Sequence, residues 1–205
     1  MKFVPSQTYH VYNQGNNQED IFKCDKDYLY FLKKVRTLIS PKCQLLAYAL
    51  MPNHFHFLMQ ATEISAYPLK LGNVYTNQLS NAFRLLLSEY AQHFNNENNR
   101  SGSLFRQKTK AKDLGEGNNI DAALVCFNYI HNNASAAGLV KMSKDWRYCS
   151  LPDYLQLRAG TLCNQDLAFE LLGIDRDYIK EMALHFQPRS APQVRPVILS
   201  CSLWV

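Results

Sequence analysis

Apolar positions along this chain alternate between a period of two and a period near 3.6, and the switches mark the elements. Tyr9-His10-Val11-Tyr12 reads as a short strand, and Asn13-Gln14-Gly15-Asn16-Asn17 as the turn that follows it. Tyr28, Phe31, Leu32, Val35, Leu38 and Ile39 then recur at helical spacing, so a first amphipathic helix is predicted, capped by Asp25 and stopped by Ser40-Pro41. Leu45 through Met51 is an apolar, strand-like run. Pro52-Asn53 punctuates it, and His54 through Gln60 resumes as a second run. Runs joined so tightly are either antiparallel neighbours or one bent strand with a bulge.

A loop around Pro68 and Gly72 leads to a second helix with the stripe Leu79, Phe83, Leu86, Leu87, Tyr90 and Phe94. The polar run Asn95 to Gly102 ends it. Ser103 through Lys112 alternates and is predicted as a strand. Asn119 is the expected cap of a third helix that runs to about Ala137 and stops at Gly138. Trp146 to Leu157 is aromatic and expected to pack back on the core, and Asp166–Leu172 and Arg176–His185 read as short helices. From Gln187 the chain carries three prolines and no acidic residue, the composition of a poorly ordered tail. The order β-α-β-β-α-β-α predicts an α+β sandwich: an antiparallel sheet with helices on one or both faces. The expected division is a main domain over 1–157, a helical extension over 158–186 and a flexible tail over 187–205.

Composition narrows this only a little. At 205 residues with 47% hydrophobic content, the chain can bury a core as one domain with an appendage, which excludes wholesale disorder. None of the six cysteines forms a C-x-x-C pair, and no apolar run approaches the ~20 residues of a membrane span. No signal-peptide pattern opens the chain. A cytoplasmic protein with reduced thiols is the expectation. The net charge of +5 permits a polyanionic partner without requiring one, so its distribution matters more than its sum.

Three constellations carry candidate chemistry. In a strand, alternate side chains share a face, so His54 and His56 point one way while Phe55 and Phe57 point the other way, into a core. Two imidazoles on one strand face can chelate a divalent metal or simply be solvated. On the third helix, Ile120, Leu124, Phe127 and Ile130 cluster on one side. At about 100° per residue Tyr129 lies roughly opposite, beside Ala122, Val125, Cys126, Asn133 and Ala136. Asn133, four residues on, stands next to Tyr129 on the helix surface. A phenol beside an amide could be a nucleophile beside a third metal ligand, or a packed, hydrogen-bonded interface residue. Last, Arg106, Lys108, Lys110 and Lys112 fall at period two with Arg100 upstream. One strand face with four like charges suits a phosphate backbone, or a lysine-protected sheet edge.

With these residues in place, the sequence resembles the single-tyrosine HUH transposases of bacterial insertion sequences, and most of all the REP-associated tyrosine transposases. The resemblance runs from about Tyr9 to Tyr154. It is carried by Tyr9–Asn17 with Ile21-Phe22, by Tyr48–Leu58 around His54-Phe55-His56, and by Arg100–Phe105. Tyr129-Ile130-His131-Asn132-Asn133 with Ala137–Val140, and Trp146–Ser150 with Tyr154, complete it. It implies a ferredoxin-like fold with the histidines on a central strand, and a catalytic domain spanning 1–157. Tyr129 would be the nucleophile, and His54, His56 and Asn133 would ligate Mg²⁺ or Mn²⁺. Arg100, Arg106, Lys108, Lys110 and Lys112 would contact single-stranded or hairpin DNA. The implied activity is cleavage and strand transfer through a 5′-phosphotyrosine, by a monomer or a homodimer. Ala134, Ser103 and Gln14 stand where the family usually has Pro, His and Arg. Other readings remain open: a module that holds hairpin DNA without cutting, a metallonuclease that uses water, or a nuclease directed at RNA.

Overall fold

Four strands form the central sheet in an order that differs from their order in the chain. The computed structural model describes residues 1–115 and 120–185. Strand β1 (Thr8–Gln14) is followed by helix α1 (Asp25–Lys34), β2 (Cys43–Met51), β3 (His54–Ala61), a short α2 (Glu63–Ala66) and the β4–β5 ribbon (Pro68–Leu71, Val74–Asn77). Then come α3 (Gln78–Glu97), β6 (Lys110–Asp113), α4 (Ile120–Ala136), α5 (Leu151–Tyr154), α6 (Gln165–Leu172) and α7 (Arg176–His185). The main sheet is antiparallel in the order β2-β3-β1-β6. With α1 and α3 as the two crossing helices, this is the ferredoxin-like α+β arrangement.

Met51 pairs with His54, so Pro52-Asn53 is a two-residue hairpin turn between antiparallel neighbours. The bulge lies elsewhere, between Leu45 and Ala47 on β2. Alternation on β3 divides the molecule. Phe55, Phe57 and Met59 enter a core with Phe31, Phe83, Leu86 and Tyr90 from α1 and α3. Leu58 enters a second core with Phe127 and Ile130 of α4 and with Ala168, Leu172, Ile179 and Ala183 of α6 and α7. The described part of the extension, 158–185, is thus built into the core of the second face. Arg158 locks its start: Nε lies 2.6 Å from Asp153 Oδ1 and Nη2 lies 2.8 Å from Oδ2, while both guanidinium ends also donate to the carbonyls of Arg147 and Cys149. Burying Asp153 is tolerable only with such a partner.

Some elements depart from expectation. Cys24, not Asp25, is the N-cap of α1, because the Asp27 carboxylate reaches back to the N–H groups of Lys23 and Cys24 at 2.7 and 3.1 Å. The stretch around Pro68 and Gly72 is a small hairpin, turned by Gly72 at φ +58°. The predicted strand over Ser103–Lys112 is regular only from Lys110. Gly15 bridges Phe105 and Tyr12 pairs with Lys110, so three residue steps on β1 face five on the other chain. The surplus loops out, tied down by Asn13 Nδ2 donating to Arg106 O and Thr109 Oγ1 at 3.2 and 3.0 Å. Arg106 and Lys108 therefore do not share one strand face with Lys110 and Lys112. The predicted cap Asn119 and the tail 187–205 lie outside the described residues. Among the described residues, no helix is long and apolar enough to cross a membrane.

Candidate active site

The sheet surface beneath α4 differs in kind from the one beneath α1 and α3. Strand register puts Tyr12 beside His56, Gln14 beside His54, and His10 beside Leu58. On the outer side it puts Lys110 beside Tyr12 and Lys112 beside His10. Cross-strand partners share a face, so His10, Tyr12, Gln14, His54, His56, Lys110 and Lys112 all belong to one surface. From β2, Ala49 stands beside His56 and leaves room above it.

Helix α4 lays Tyr129 across this surface. The Tyr129 ring stands edge-on to His56 with centroids 5.3 Å apart, and edge-on to His10 at 6.1 Å. His54 and His56 are themselves edge to face at 4.9 Å. Tyr129 is half-buried, as is Asn133 one turn along the helix. The small residues beside Tyr129 divide: Cys126 is buried, whereas Val125 is exposed. What approaches that side of the helix is the histidine face of the sheet. Residues separated by more than seventy positions in the chain, His54 and His56 against Tyr129, are thus brought together.

Hydrogen bonds fix the rings. His54 Nδ1 lies 2.6 Å from Asn53 Oδ1; the amide oxygen can only accept, so Nδ1 carries the proton and Nε2 keeps its lone pair. Asn53 is in turn held by the loop after β1, whose Gln18 carbonyl accepts from Asn53 Nδ2 and whose Gly15 N–H donates to Asn53 O. Only glycine fits at position 15, since a Cβ there would stand 2.3 Å from Glu19 O. His56 Nδ1 lies 2.9 Å from His10 Nε2, with both rings buried. Burial pushes the His10 and His54 imidazoles down to about 4, with Lys112 adding to the effect at His10. Burial, with His54 and His10 beside it, carries His56 well below its usual range. All three are neutral at pH 7, the form that can ligate a metal.

Among the described residues, His56 Nε2, and Asn133 Nδ2 one helical turn along α4 from Tyr129, are buried polar atoms with no hydrogen-bond partner. Orphaned polar atoms cost about 1–3 kcal/mol each unless a ligand or water serves them. Among the described residues, no group of three His, Cys, Asp or Glu side chains is gathered for a metal. A metal held by His54 and His56 would need its third protein ligand from another residue type, and the Asn133 carboxamide is the unsatisfied group available.

The basic residues take different stations. Arg100 is committed to the loop before β6, where it pairs with Glu19 at 2.5 Å and donates to Asn95 Oδ1 and Ser103 O. Arg106 turns its guanidinium to the Gln14 carboxamide oxygen, at the His54 end of β1. Lys110 and Lys112 are exposed at the open edge of the histidine face. Around the same edge, toward α3, runs a groove of about 770 Å³ whose lining, among the described residues, includes Arg84, Arg106, Lys108 and Lys110 and no acidic residue. Sequence reasoning placed His10 in a strand but gave it no role. Its period-two spacing from Tyr12 was legible, while its alignment with His56 depends on strand order, which no local pattern encodes.

No family model and no curated protein sequence matches the chain. Among solved structures, a REP-associated tyrosine transposase bound to a REP hairpin superposes with a TM-score of 0.53 at 14% identity, over 79% of this chain and 87% of that one. The two share the fold.

Proposed function

We propose that this protein is a metal-dependent nuclease and strand transferase for single-stranded DNA, with Tyr129 as its nucleophile. One observation carries the proposal: His54 and His56 converge with Tyr129 on one half-buried surface, and His56 Nε2, with Asn133 Nδ2 one helical turn from Tyr129, has no hydrogen-bond partner among the described residues. The fold shared with a tyrosine transposase supports it.

The chemistry follows from the residues. A phenol of ordinary pKa is only about 0.1% ionised at pH 7 and attacks a phosphodiester poorly without help. His54 through Nε2, His56 through Nε2 and Asn133 through its amide oxygen would hold a divalent cation; a half-turn of the carboxamide exchanges its two ends. Bound there, the cation supplies charge stabilisation and orientation at the scissile phosphate. The donor set is neutral and rich in nitrogen, which favours Mn²⁺ over Mg²⁺. Tyr129 Oη forms a bond to phosphorus as the bond to the 3′ oxygen breaks. The phenol loses its proton, the departing 3′ oxygen gains one, and the 5′ phosphate stays on the tyrosine. Attack on that phosphotyrosine by another 3′-hydroxyl reverses the step and joins a new end without ATP. Arg106, Lys108, Lys110 and Lys112 would take the DNA backbone along the open edge of the sheet. Arg100 acts chiefly on the loop that presents them.

The test is a denaturing gel of wild type and Tyr129→Phe mixed with labelled hairpin-flanked single-stranded DNA and Mn²⁺. A slow-migrating protein–DNA band in wild type alone is expected. Cleavage without that band, equal in both proteins, would replace tyrosine by water as the nucleophile. Binding without cleavage across several hairpins would make the chain a DNA-holding module.

A further inference from the structure

We infer that His10 is a positioning residue for His56: it accepts the Nδ1 proton of His56 and so keeps His56 Nε2 bare and aimed at the metal. The inference rests on the metal reading above and adds to it a residue from a different strand. His10 comes from β1, two positions before the residue paired with His56. Its Nε2 stands 2.9 Å from His56 Nδ1, and the rings lie 5.0 Å apart at 28°, with exposures of only 4% and 2%.

A single proton lies between the two nitrogens, and the two possible donors have different consequences. Were His10 the donor, a neutral His56 would carry its proton on Nε2. That N–H would then be a buried donor with no acceptor among the described residues, where Nε2 has no hydrogen-bond partner. With His56 as donor, Nε2 holds a lone pair, in a ring that stands 5.3 Å from that of Tyr129. The second arrangement leaves an unused acceptor that a cation satisfies, and under-served acceptors are tolerated better than orphaned donors. Metal-ligating histidines generally donate their other N–H to an outer partner that sets ring orientation and basicity. His54 uses Asn53 in this way. For His56 the partner is a second imidazole; its cross-strand neighbours are Ala49 on β2 and Tyr12 on β1, the Tyr12 ring 5.7 Å away.

The experiment uses the full chain with ¹⁵N-labelled histidine. Two-bond ¹H–¹⁵N correlation spectra of the metal-free protein report which nitrogen of His56 carries the proton, and Mn²⁺ affinity is read by electron paramagnetic resonance of the free ion. Nδ1 protonation of His56 is expected in wild type. His10→Phe, which fills the space without an acceptor, should weaken Mn²⁺ binding by roughly 10- to 100-fold. His10→Gln, whose amide oxygen can accept from Nδ1, should recover most of that loss. A wild-type spectrum with His56 protonated on Nε2, or equal Mn²⁺ affinity in wild type and a folded His10→Phe, would overturn the inference. If His10→Phe does not fold, the wild-type spectrum and the His10→Gln affinity decide. Absence of Mn²⁺ binding in wild type with Nδ1 protonated would overturn the metal reading while leaving the histidine–histidine bond in place.

Discussion

The two faces of the sheet are made by the same strands and have opposite characters. Toward α1 and α3, β3 contributes Phe55 and Phe57, fully buried among Phe31, Phe83 and Tyr90, and the surface is apolar and aromatic. Toward α4, the alternate residues of that strand are His54 and His56, and the surface buries His10, His131 and Asn132 as well. A protein interior of ordinary sequence would place hydrophobes on both faces of a sheet covered by helices on both sides. Here one face supplies the stabilisation and the other bears buried polar groups that cost stability. That asymmetry is expected of a surface kept for chemistry.

Tyr129→Phe breaks the comparison most sharply. It removes one oxygen from the second face, and the fold should survive, because the ring keeps its edge contacts with His56 and His10. The covalent protein–DNA band should vanish altogether while hairpin affinity, measured by anisotropy, stays within a few-fold. Retention of the band would move the nucleophile elsewhere. On the first face the expected effect is large but of a different kind. Phe57→Ala should cost about 3–5 kcal/mol of unfolding free energy, by loss of transfer energy and the cavity left behind. His54→Ala, three residues back along β3 on the half-buried face, should cost far less and abolish Mn²⁺ binding. Urea denaturation of the pair separates the two: equal losses of stability would mean that the histidine face is a structural core like the other.

Much of this division was legible in the sequence, because alternation along a strand is a local property. Phe55 and Phe57 opposite His54 and His56 follow from a period of two, and the α3 stripe Leu79, Phe83, Leu86, Leu87, Tyr90 and Phe94 from a period of 3.6; five of those six side chains are buried and Leu87 is half-buried. Long-range order was less legible. That His10 lies against His56 depends on β1 pairing with β3 across the sheet, which needs the strand order rather than any motif. The basic run misled for a related reason. Arg106, Lys108, Lys110 and Lys112 have perfect alternation, yet Asn13 offers side-chain hydrogen bonds to Arg106 and Thr109 that hold the backbone out of the ladder. Asn competes with regular pairing in this way, and periodicity alone cannot register a competitor from another strand.

The histidine face should also set the acid limit of stability. Burial pushes His131 down to about 3, with Nε2 2.7 Å from Ser150 Oγ. In the unfolded chain it titrates near 6.5. The unfolded state therefore takes up protons first, and the stability that depends on neutral His131 is complete above pH 6.5 and falls as pH drops from 6.5 toward 3. His10 and His54, depressed to about 4, act in the same direction over pH 6.5 to 4. Melting temperature should decline steadily from pH 7 to 5, and His131→Gln should make the decline shallower. An unchanged slope in that variant would show that His131 does not contribute to it.

The smallest effect concerns the open edge. Lys110 and Lys112 project beside Tyr12 and His10 at the rim of the histidine face, and among the described residues β6 has no further strand beyond it in the sheet. If single-stranded DNA reaches Tyr129 across this rim, each lysine displaces one counterion from the phosphate chain, so the slope of log affinity against log salt should shrink by about 0.7 per lysine removed. Lys110→Gln with Lys112→Gln should lower affinity several-fold in dilute salt, with the deficit narrowing as salt rises. The aromatic face offers the control: Arg84→Gln alters the groove toward α3, whose lining includes Lys110 but not Lys112, so Lys112→Gln alone reports the rim. If Arg84→Gln reduces the salt slope and Lys112→Gln does not, the DNA follows the groove on the α3 side and reaches Tyr129 from around the edge of β6. If both do, the backbone wraps that edge, and the unpaired strand serves as the rail on which DNA is held.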